Sequence, residues 1–267
     1  QGFVTLVNQI VEETLGVPET IILPVDTSIG SAGSTSASRQ TWMSGGAVLK
    51  ACEAVVDALI LELQKESGVE FERVGLNLVP KDGSDSIAIA AALRGRNFDE
   101  HVTHRHLPTF PLDHNGQGNA HVSFAFAAHR AVVDVDQELG LVRVVEIATS
   151  QDVGRILNPV QARGQIEGGV AQGLGLALLE ELILTDGKIA NANFTDYLLP
   201  TAMDTPPIEI AAFIEQPEPG APFGAKGIGE PPVISSTPAI VAAIRNATGF
   251  ELNRVPVKPE DIALNGL

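Results

Sequence analysis

The run Gly224-Ala-Lys-Gly-Ile-Gly-Glu-Pro-Pro232 places one glutamate among three glycines and two prolines. The glycines let another backbone or a ligand approach closely, and the prolines stiffen the exit of Glu230. A carboxylate held this way is positioned. The same residues also describe an ordinary glycine-rich loop with a surface glutamate beside a helix start, and the local sequence does not choose between the two. A second run extends from Gly164 to Gly175 as GQIEGGVAQGLG, with glycines at 164, 168, 169, 173 and 175. Each costs about 1 kcal/mol in a helix relative to alanine, so their number implies close approach by another element or a ligand. A third run, Ser34-Thr-Ser-Ala-Ser-Arg-Gln40, lies in a small, polar stretch suited to backbone contacts with a ligand, and taken alone it reads as an ordinary polar loop. His101, His104 and His106 have a spacing that could bind a divalent metal, or that serves as ordinary surface.

The elements that must carry these residues follow from periodicity. Apolar residues recur at helical spacing from Phe3 to Leu15, Gly16-Val-Pro18 stops that helix, and a β-branched run from Ile21 to Val25 reads as a strand. The small-residue loop comes next, followed by a long helix over about Gly46 to Glu66. A strand is expected over Ser86 to Leu93. An antiparallel hairpin is expected from Phe124–Val135 and Leu141–Ile147 across the polar turn between them. Asn158-Pro159 opens a helix reaching about Glu181, and a second hairpin centres on Thr185-Asp-Gly187. A last helix is expected to begin near Thr237-Pro238 and to end at Gly249. Strands and helices alternate without a regular βαβ repeat, which indicates an α+β fold with mixed sheets and packed helices. Two subdomains are expected, residues 1–110 and 111–267.

Composition narrows the function. At 44% hydrophobic and 19% charged residues the chain is too apolar for disorder, and no uncharged apolar run reaches membrane-spanning length. A net charge of −16 without a basic cluster argues against nucleic acid. The single cysteine, Cys52, lies in an apolar helical pattern and cannot form an internal disulfide, which points to a reducing cytoplasm. His114, His121 and His129 read as structural. The start at Gln1 rather than methionine suggests a piece of a larger polypeptide.

GAKGIGEPP followed by a helix resembles the signature in which molybdenum hydroxylases of the xanthine dehydrogenase and aldehyde oxidase family present their essential glutamate. Gly164–Gly175 resembles the family's GQ-x-EGG-x-x-QG-x-G segment. Ser34–Gln40 sits where the family places a cofactor-lining loop, and Gln1-Gly2 is similar to the tail of a Gly-Gln-Gly turn. Asp152-Val-Gly followed by Asn158-Pro159, and Tyr197-Leu-Leu-Pro200, match further motifs taken as structural. The resemblance runs in consistent order through essentially the whole chain, is most like bacterial xanthine dehydrogenases, and covers the C-terminal half of the molybdenum subunit.

It implies a two-subdomain molybdopterin-binding domain. Glu230 would be the general base toward a water-derived oxygen that attacks an electron-poor carbon. Gln1, Thr35, Ser36, Ala37, Ser38, Arg39, Gln40, Gln165, Lys226, Gly227, Ile228 and Gly229 would bind the cofactor, with Arg39 facing its phosphate or making a solvent salt bridge. Molybdenum would be held through the pterin dithiolene, with no protein ligand of its own. The implied cofactor is molybdopterin, in its plain or cytosine dinucleotide form, with 2Fe-2S and FAD centres on partner domains or subunits. The implied partners are the N-terminal half of the molybdenum subunit and those electron-transfer units, in a hetero-oligomer. The implied reaction is hydroxylation of a purine-type heterocycle such as xanthine or hypoxanthine, with the chain inactive by itself. The alternatives are an aldehyde or other N-heterocycle oxidase, a non-catalytic cofactor-binding module, and a metalloprotein built on the histidine loop.

Overall fold

The computed structural model describes residues 2–24, 26–30 and 33–265. Mixed helices and sheets form two compact units, one of residues 1–123 with Pro217–Gly227, the other of Phe124–Gln216 with Ile228–Leu267. The first unit therefore takes back the Pro217–Gly227 segment from late in the chain.

In that first unit, α1 (Phe3–Leu15) buries Val7, Ile10 and Val11, the positions its apolar spacing marks. It ends at Gly16, where a φ of 71° lets the glycine N–H reach Glu12 O at 2.9 Å. The longer α2 (Gly46–Ser67) packs beside α1 and is entered through a π-helical turn at Thr41–Gly45. Val56 and Leu59 of α2 join Leu78 and Ile89 in one cluster, and Cys52 joins Val7 and Val11 in another. Burial pushes the Cys52 thiol up to about 11, so it is a packing group rather than a reactive one. A three-stranded antiparallel sheet follows, with β1 (Phe71–Val74), β2 (Asn77–Pro80) and β3 (Ile87–Ala88), then the single turn α3 (Ile89–Ala92).

Two sequence expectations fail in this unit. The strand expected over Ile21 to Val25 is absent among the described residues, which exclude Val25; Ile21 is 90% and Leu23 79% exposed. β-Branched composition favours a pleated surface only where a neighbouring strand provides one, and no described strand pairs there. The strand expected over Ser86 to Leu93 shrinks to β3, because the alanine-rich continuation turns helical, with the Leu93 N–H donating to Ile89 O at 2.9 Å.

The second unit centres on a three-stranded sheet. The expected hairpin forms from β4 (Ala127–Asp136) and β5 (Leu141–Asp152), with Asp136 Oδ1 accepting the N–H groups of Glu138 and Leu139 at 3.0 Å in the turn. Next comes α4 (Pro159–Leu178), started by Asn158, whose Oδ1 accepts Gln161 N–H at 3.0 Å. A short hairpin of β6 (Leu184–Thr185) and β7 (Lys188–Ile189) leads to β8 (Ile208–Ile214), which pairs parallel to β5. The chain closes with α5 (Pro231–Thr248) and α6 (Pro259–Ala263). The core comprises residues such as Ile147, Ile166, Leu174, Ile240, Ile244 and Ile262, all at most 1% exposed. Burying a side chain of this size fully contributes about 1.5 to 3 kcal/mol.

Here the start of α5 corrects the sequence reading. The helix begins at Pro231, not near Thr237, and Pro238 lies inside it. Pro231 and Pro232 fit the first turn, where amides have no intrahelical partner. Pro238 breaks the ladder at a cost of about 3 kcal/mol, and burial of Ser236, Ile240 and Ile244 carries the helix through. Among the described residues no helix is long and apolar enough to cross a membrane.

Candidate active site

Glu230 is the N-cap residue of α5 and is exposed. Its carbonyl accepts the amides of Val233 and Ile234 at 3.0 and 3.2 Å, so its backbone already belongs to the helix. Its side chain does not cap that helix, and Pro231 and Pro232 bring no N–H to which it could bond.

The glycines of α4 decide what lies beside it. A Cβ on Gly169 would sit 2.7 Å from Pro232 Cβ, and one on Gly173 would sit 1.8 Å from Ser236 Oγ. Both contacts advance in the same chain direction, so α4 and α5 run parallel, with the first turn of α5 beside the middle of α4. Gln165 lies one turn before Gly169 and is half-buried; Glu230 lies two residues before Pro232. The start of α5, at Glu230, therefore lies about one turn along α4 from Gln165 or less. Gly175 is filled by Glu180 and Pro200. Gly164 and Gly168, in contrast, have nothing within 4 Å, so close approach among the described residues accounts for only three of the five glycines. Glu167 pairs with Arg163 at 2.8 Å on the surface, and Gln172 is exposed.

In the first unit, the Ser34–Gln40 loop is shaped by its own contacts. Arg39 Nε and Nη2 donate to Ser34 O at 3.1 and 2.7 Å, and Ser34 Oγ lies 3.0 Å from Ser36 Oγ. Ala37 and Ser38 both take left-handed backbone, at φ 59° and 47°. Each costs about 1 to 2 kcal/mol in a residue bearing Cβ, and such conformations concentrate where a loop is held for a ligand. Thr35, Ser36 and Ala37 are exposed, whereas Ser38, Arg39 and Gln40 are half-buried.

Gly227 locks this loop to the glycine-rich run, because a Cβ there would lie 1.7 Å from the Ser38 carbonyl oxygen. One residue earlier, Lys226 is not a surface lysine. Its side chain is 7% exposed and its Nζ lies 3.9 Å from Oε2 of Glu218, itself 13% exposed, and Ser123 Oγ donates to the same oxygen at 2.6 Å. Sequence reading passed over Glu218, since nothing in its Pro-Glu-Pro setting signals a buried partner. The chain then passes from the first unit to the second between Gly227 and Ile228; Ile228 packs on the second unit's core and Gly229 is half-buried. Gln1 lies outside the described residues.

The histidine loop does not assemble a metal centre. His101 pairs with Asp99 at 3.4 Å, His104 presses its ring against Gly46, and His106 Nδ1 is 2.5 Å from Leu107 O. No group of three His, Cys, Asp or Glu side chains able to hold a metal ion occurs among the described residues. Burial, helped by the charges of Lys50 and His106, holds the His104 imidazole below its ordinary range.

The first unit's loops offer hydroxyls and backbone amides, and the second unit's helix pair offers one carboxamide and one carboxylate. This chemistry fits a polar, phosphate-bearing cofactor that brings its own metal ligands, and it fits direct metal ligation poorly.

The comparisons agree with that chemistry. The model of the molybdopterin cofactor-binding domain matches residues 1–206. The gamma subunit of the 6-hydroxypseudooxynicotine dehydrogenase complex of Paenarthrobacter nicotinovorans is 33% identical over 271 residues, 98% of this chain and 34% of that protein. The xanthine dehydrogenase molybdenum-binding subunit of Escherichia coli O157:H7 is 32% identical over 287 residues, 100% of this chain and 37% of that protein. The crystal structure of the aldehyde oxidoreductase from Desulfovibrio desulfuricans superposes with a TM-score of 0.76 at 28% identity, covering 97% of this chain and 27% of that one. The chain thus spans about a third of the length of the curated relatives it matches. With a family model matched over most of its length and a fold shared with a solved relative, the chain belongs to the molybdopterin cofactor-binding domain family, in the xanthine dehydrogenase and aldehyde oxidoreductase group.

Proposed function

We propose that this chain forms the part of a molybdenum hydroxylase that supplies the proton-accepting carboxylate, Glu230, together with part of the pterin pocket. The observation that carries the reading is the parallel packing of α4 on α5, which seats the start of α5, and with it Glu230, beside Gly169, one turn after Gln165, with no cap hydrogen bond from the Glu230 side chain. When bound, molybdopterin supplies two-electron redox chemistry that no side chain of the protein can provide. The hydroxyls and amides of Thr35 to Gln40 hold the polar edge and phosphate of the pterin, and Gly227, Ile228 and Gly229 shape the backbone facing it. Lys226, tied to Glu218, keeps that backbone in place and leaves Arg39 as the loop's cation toward the phosphate. The Gln165 carboxamide orients the redox end of the cofactor. Glu230 takes the proton of a water-derived nucleophile as it attacks an electron-poor carbon, a role that contributes about 10² to 10⁴ in rate.

The favoured substrate is a purine-type heterocycle of the xanthine or hypoxanthine kind, supported by the similarity to a xanthine dehydrogenase subunit. An aldehyde or another N-heterocycle is the second reading, supported by the likeness to an aldehyde oxidoreductase and a 6-hydroxypseudooxynicotine dehydrogenase. Electrons leave through 2Fe-2S and FAD centres on partner domains or subunits, and the pterin is carried in its plain or its cytosine dinucleotide form. The working assembly is a hetero-oligomer with the N-terminal portion of the subunit, and the chain alone does not turn over. A reducing, cytoplasmic setting suits the lone, buried Cys52.

The experiment is Glu230→Gln in the complete enzyme. The amide keeps the shape but cannot take the proton, so molybdenum and pterin content should stay at wild-type levels while turnover falls by about 10²- to 10⁴-fold. Near-normal turnover would remove Glu230 from the chemistry. Panels of purines and aldehydes then separate the two substrate readings.

A further inference from the structure

Strand β4 alternates inward and outward, and its inward set is Ala127, His129, Ala131, Val133 and Val135. Four are apolar, and Ala131, Val133 and Val135 pack on the unit's core; the fifth is a histidine. Its Nδ1 lies 2.7 Å from Ser235 Oγ on α5, and its Nε2 lies 3.0 Å from Thr149 Oγ1, on the strand residue paired directly opposite. Thr149 and Gln151 are 2% and 0% exposed, and Gln151 Nε2 donates to Thr149 Oγ1 at 2.7 Å. Either tautomer of a neutral imidazole leaves one ring nitrogen donating and the other accepting, so both hydrogen bonds form without a charge.

The other side of α5 is gripped one and two residues later. Ser236 fills the space left by Gly173, and Thr237 Oγ1 donates to Gly173 O at 2.8 Å. Apolar packing alone is non-directional and permits small slides and rotations of a helix on a sheet. Hydrogen bonds in a buried setting do not, because a displaced partner leaves a polar group unpaired at a cost of about 1 to 3 kcal/mol. Ser235, Ser236 and Thr237 thus fix α5 from two sides, between one and two turns from Glu230.

We propose that His129 is a positioning residue for Glu230, acting through Ser235 to set the height and rotation of α5 on the sheet. The proposal rests on the reading of Glu230 as the base. A displacement on the order of 1 Å at a reacting group costs about 10²-fold in rate. The ring of His129 bonds to Ser235 and Thr149 within the unit, so its loss acts on the chemical step through α5.

The test uses the complete enzyme with its partner subunits and compares His129→Ala and Ser235→Ala with Val135→Ala, which trims the same inward face of β4 farther along. Turnover, KM, molybdenum content and amide hydrogen exchange over residues 233–237 are measured, exchange also in cofactor-free protein. For His129→Ala and Ser235→Ala we expect kcat to fall about ten- to a hundredfold with KM within about twofold and molybdenum retained. Exchange at the start of α5 should speed up about tenfold or more. His129→Asn, which keeps an acceptor near the Nδ1 position, should recover most of both. Val135→Ala should lower the thermal midpoint with little change in kcat or in local exchange. Ser235→Ala removes only a hydroxyl, so the test stands if His129→Ala fails to fold. Unchanged exchange over 233–237, or a kcat loss no greater than that of Val135→Ala, would overturn the proposal. Should Glu230→Gln keep normal turnover, the base assignment fails, and the exchange result still judges the grip of His129 on α5.

Discussion

Replacing single glycines of α4 by alanine gives changes of opposite sign that the packing fixes in advance. Alanine gains about 1 kcal/mol over glycine in a helix interior. At Gly168 nothing lies within 4 Å of the added Cβ, so Gly168→Ala keeps that gain. It should raise the thermal midpoint of the 267-residue chain by about 2 to 4 °C. At Gly173 the Cβ would meet Ser236 Oγ at 1.8 Å, Ser236 Cβ at 2.9 Å and Thr237 N at 3.2 Å. The hydroxyl can rotate away, but the Ser236 Cβ and the Thr237 nitrogen move only with α5 itself. Overpacking of this kind costs about 1 to 3 kcal/mol. Straining the Thr237 hydrogen bond to Gly173 O adds about 1 kcal/mol. Less the propensity gain, Gly173→Ala should be destabilising by about 1 to 3 kcal/mol, which lowers the midpoint by several degrees. Circular dichroism melts of the two variants under one buffer condition measure this. If Gly173→Ala were as stable as Gly168→Ala, the parallel contact of α4 with α5, and with it the common placement of Gln165 and Glu230, would be wrong.

Gly227→Ala would force its Cβ into the Ser38 carbonyl, 1.7 Å away, so the glycine-rich run and the Ser34–Gln40 loop must part. The complete enzyme should then lose pterin and molybdenum together, and full cofactor content by metal analysis would show that this contact does not shape the pocket. Gln165→Ala should lower molybdenum occupancy or alter its spectrum while leaving the melt within about 1 kcal/mol of wild type; an unchanged spectrum at full occupancy would return Gln165 to a packing role. Burial holds the His129 imidazole below its ordinary pKa, so the folded chain refuses a proton that the unfolded chain accepts. That contribution to stability is complete above the ordinary value of 6.5 and is lost as pH falls below it. The wild-type melt should therefore drop more between about pH 7.5 and 5.5 than that of His129→Asn, and equal drops would refute the assignment.

Local pattern was enough for much of the scaffold. The apolar spacing of Phe3 to Leu15, the capping pair Asn158-Pro159, and the alternation on either side of the Asp136 to Gly140 turn each specify an element through contacts within a few residues. Motif order was likewise enough to name the family. Other features depend on partners distant in sequence and could not be read there. Ile21 to Leu23 carry strand composition without a described strand to pair with, while Ile208–Ile214 becomes a strand because β5 offers it an edge. Helix α5 begins six residues before Thr237 because its buried face, seated on α4 and β4, outweighs the local cost of Pro238. Which glycines matter is a tertiary question too, since Gly168 and Gly169 are neighbours in sequence yet one meets open space and the other Pro232. The burial of Lys226 against Glu218 and the grip of His129 on Ser235 join residues 8 and 106 positions apart. A side chain's type is written in the sequence; its partner, and so the work it does, is settled only when packing excludes water from one arrangement and leaves it in the others.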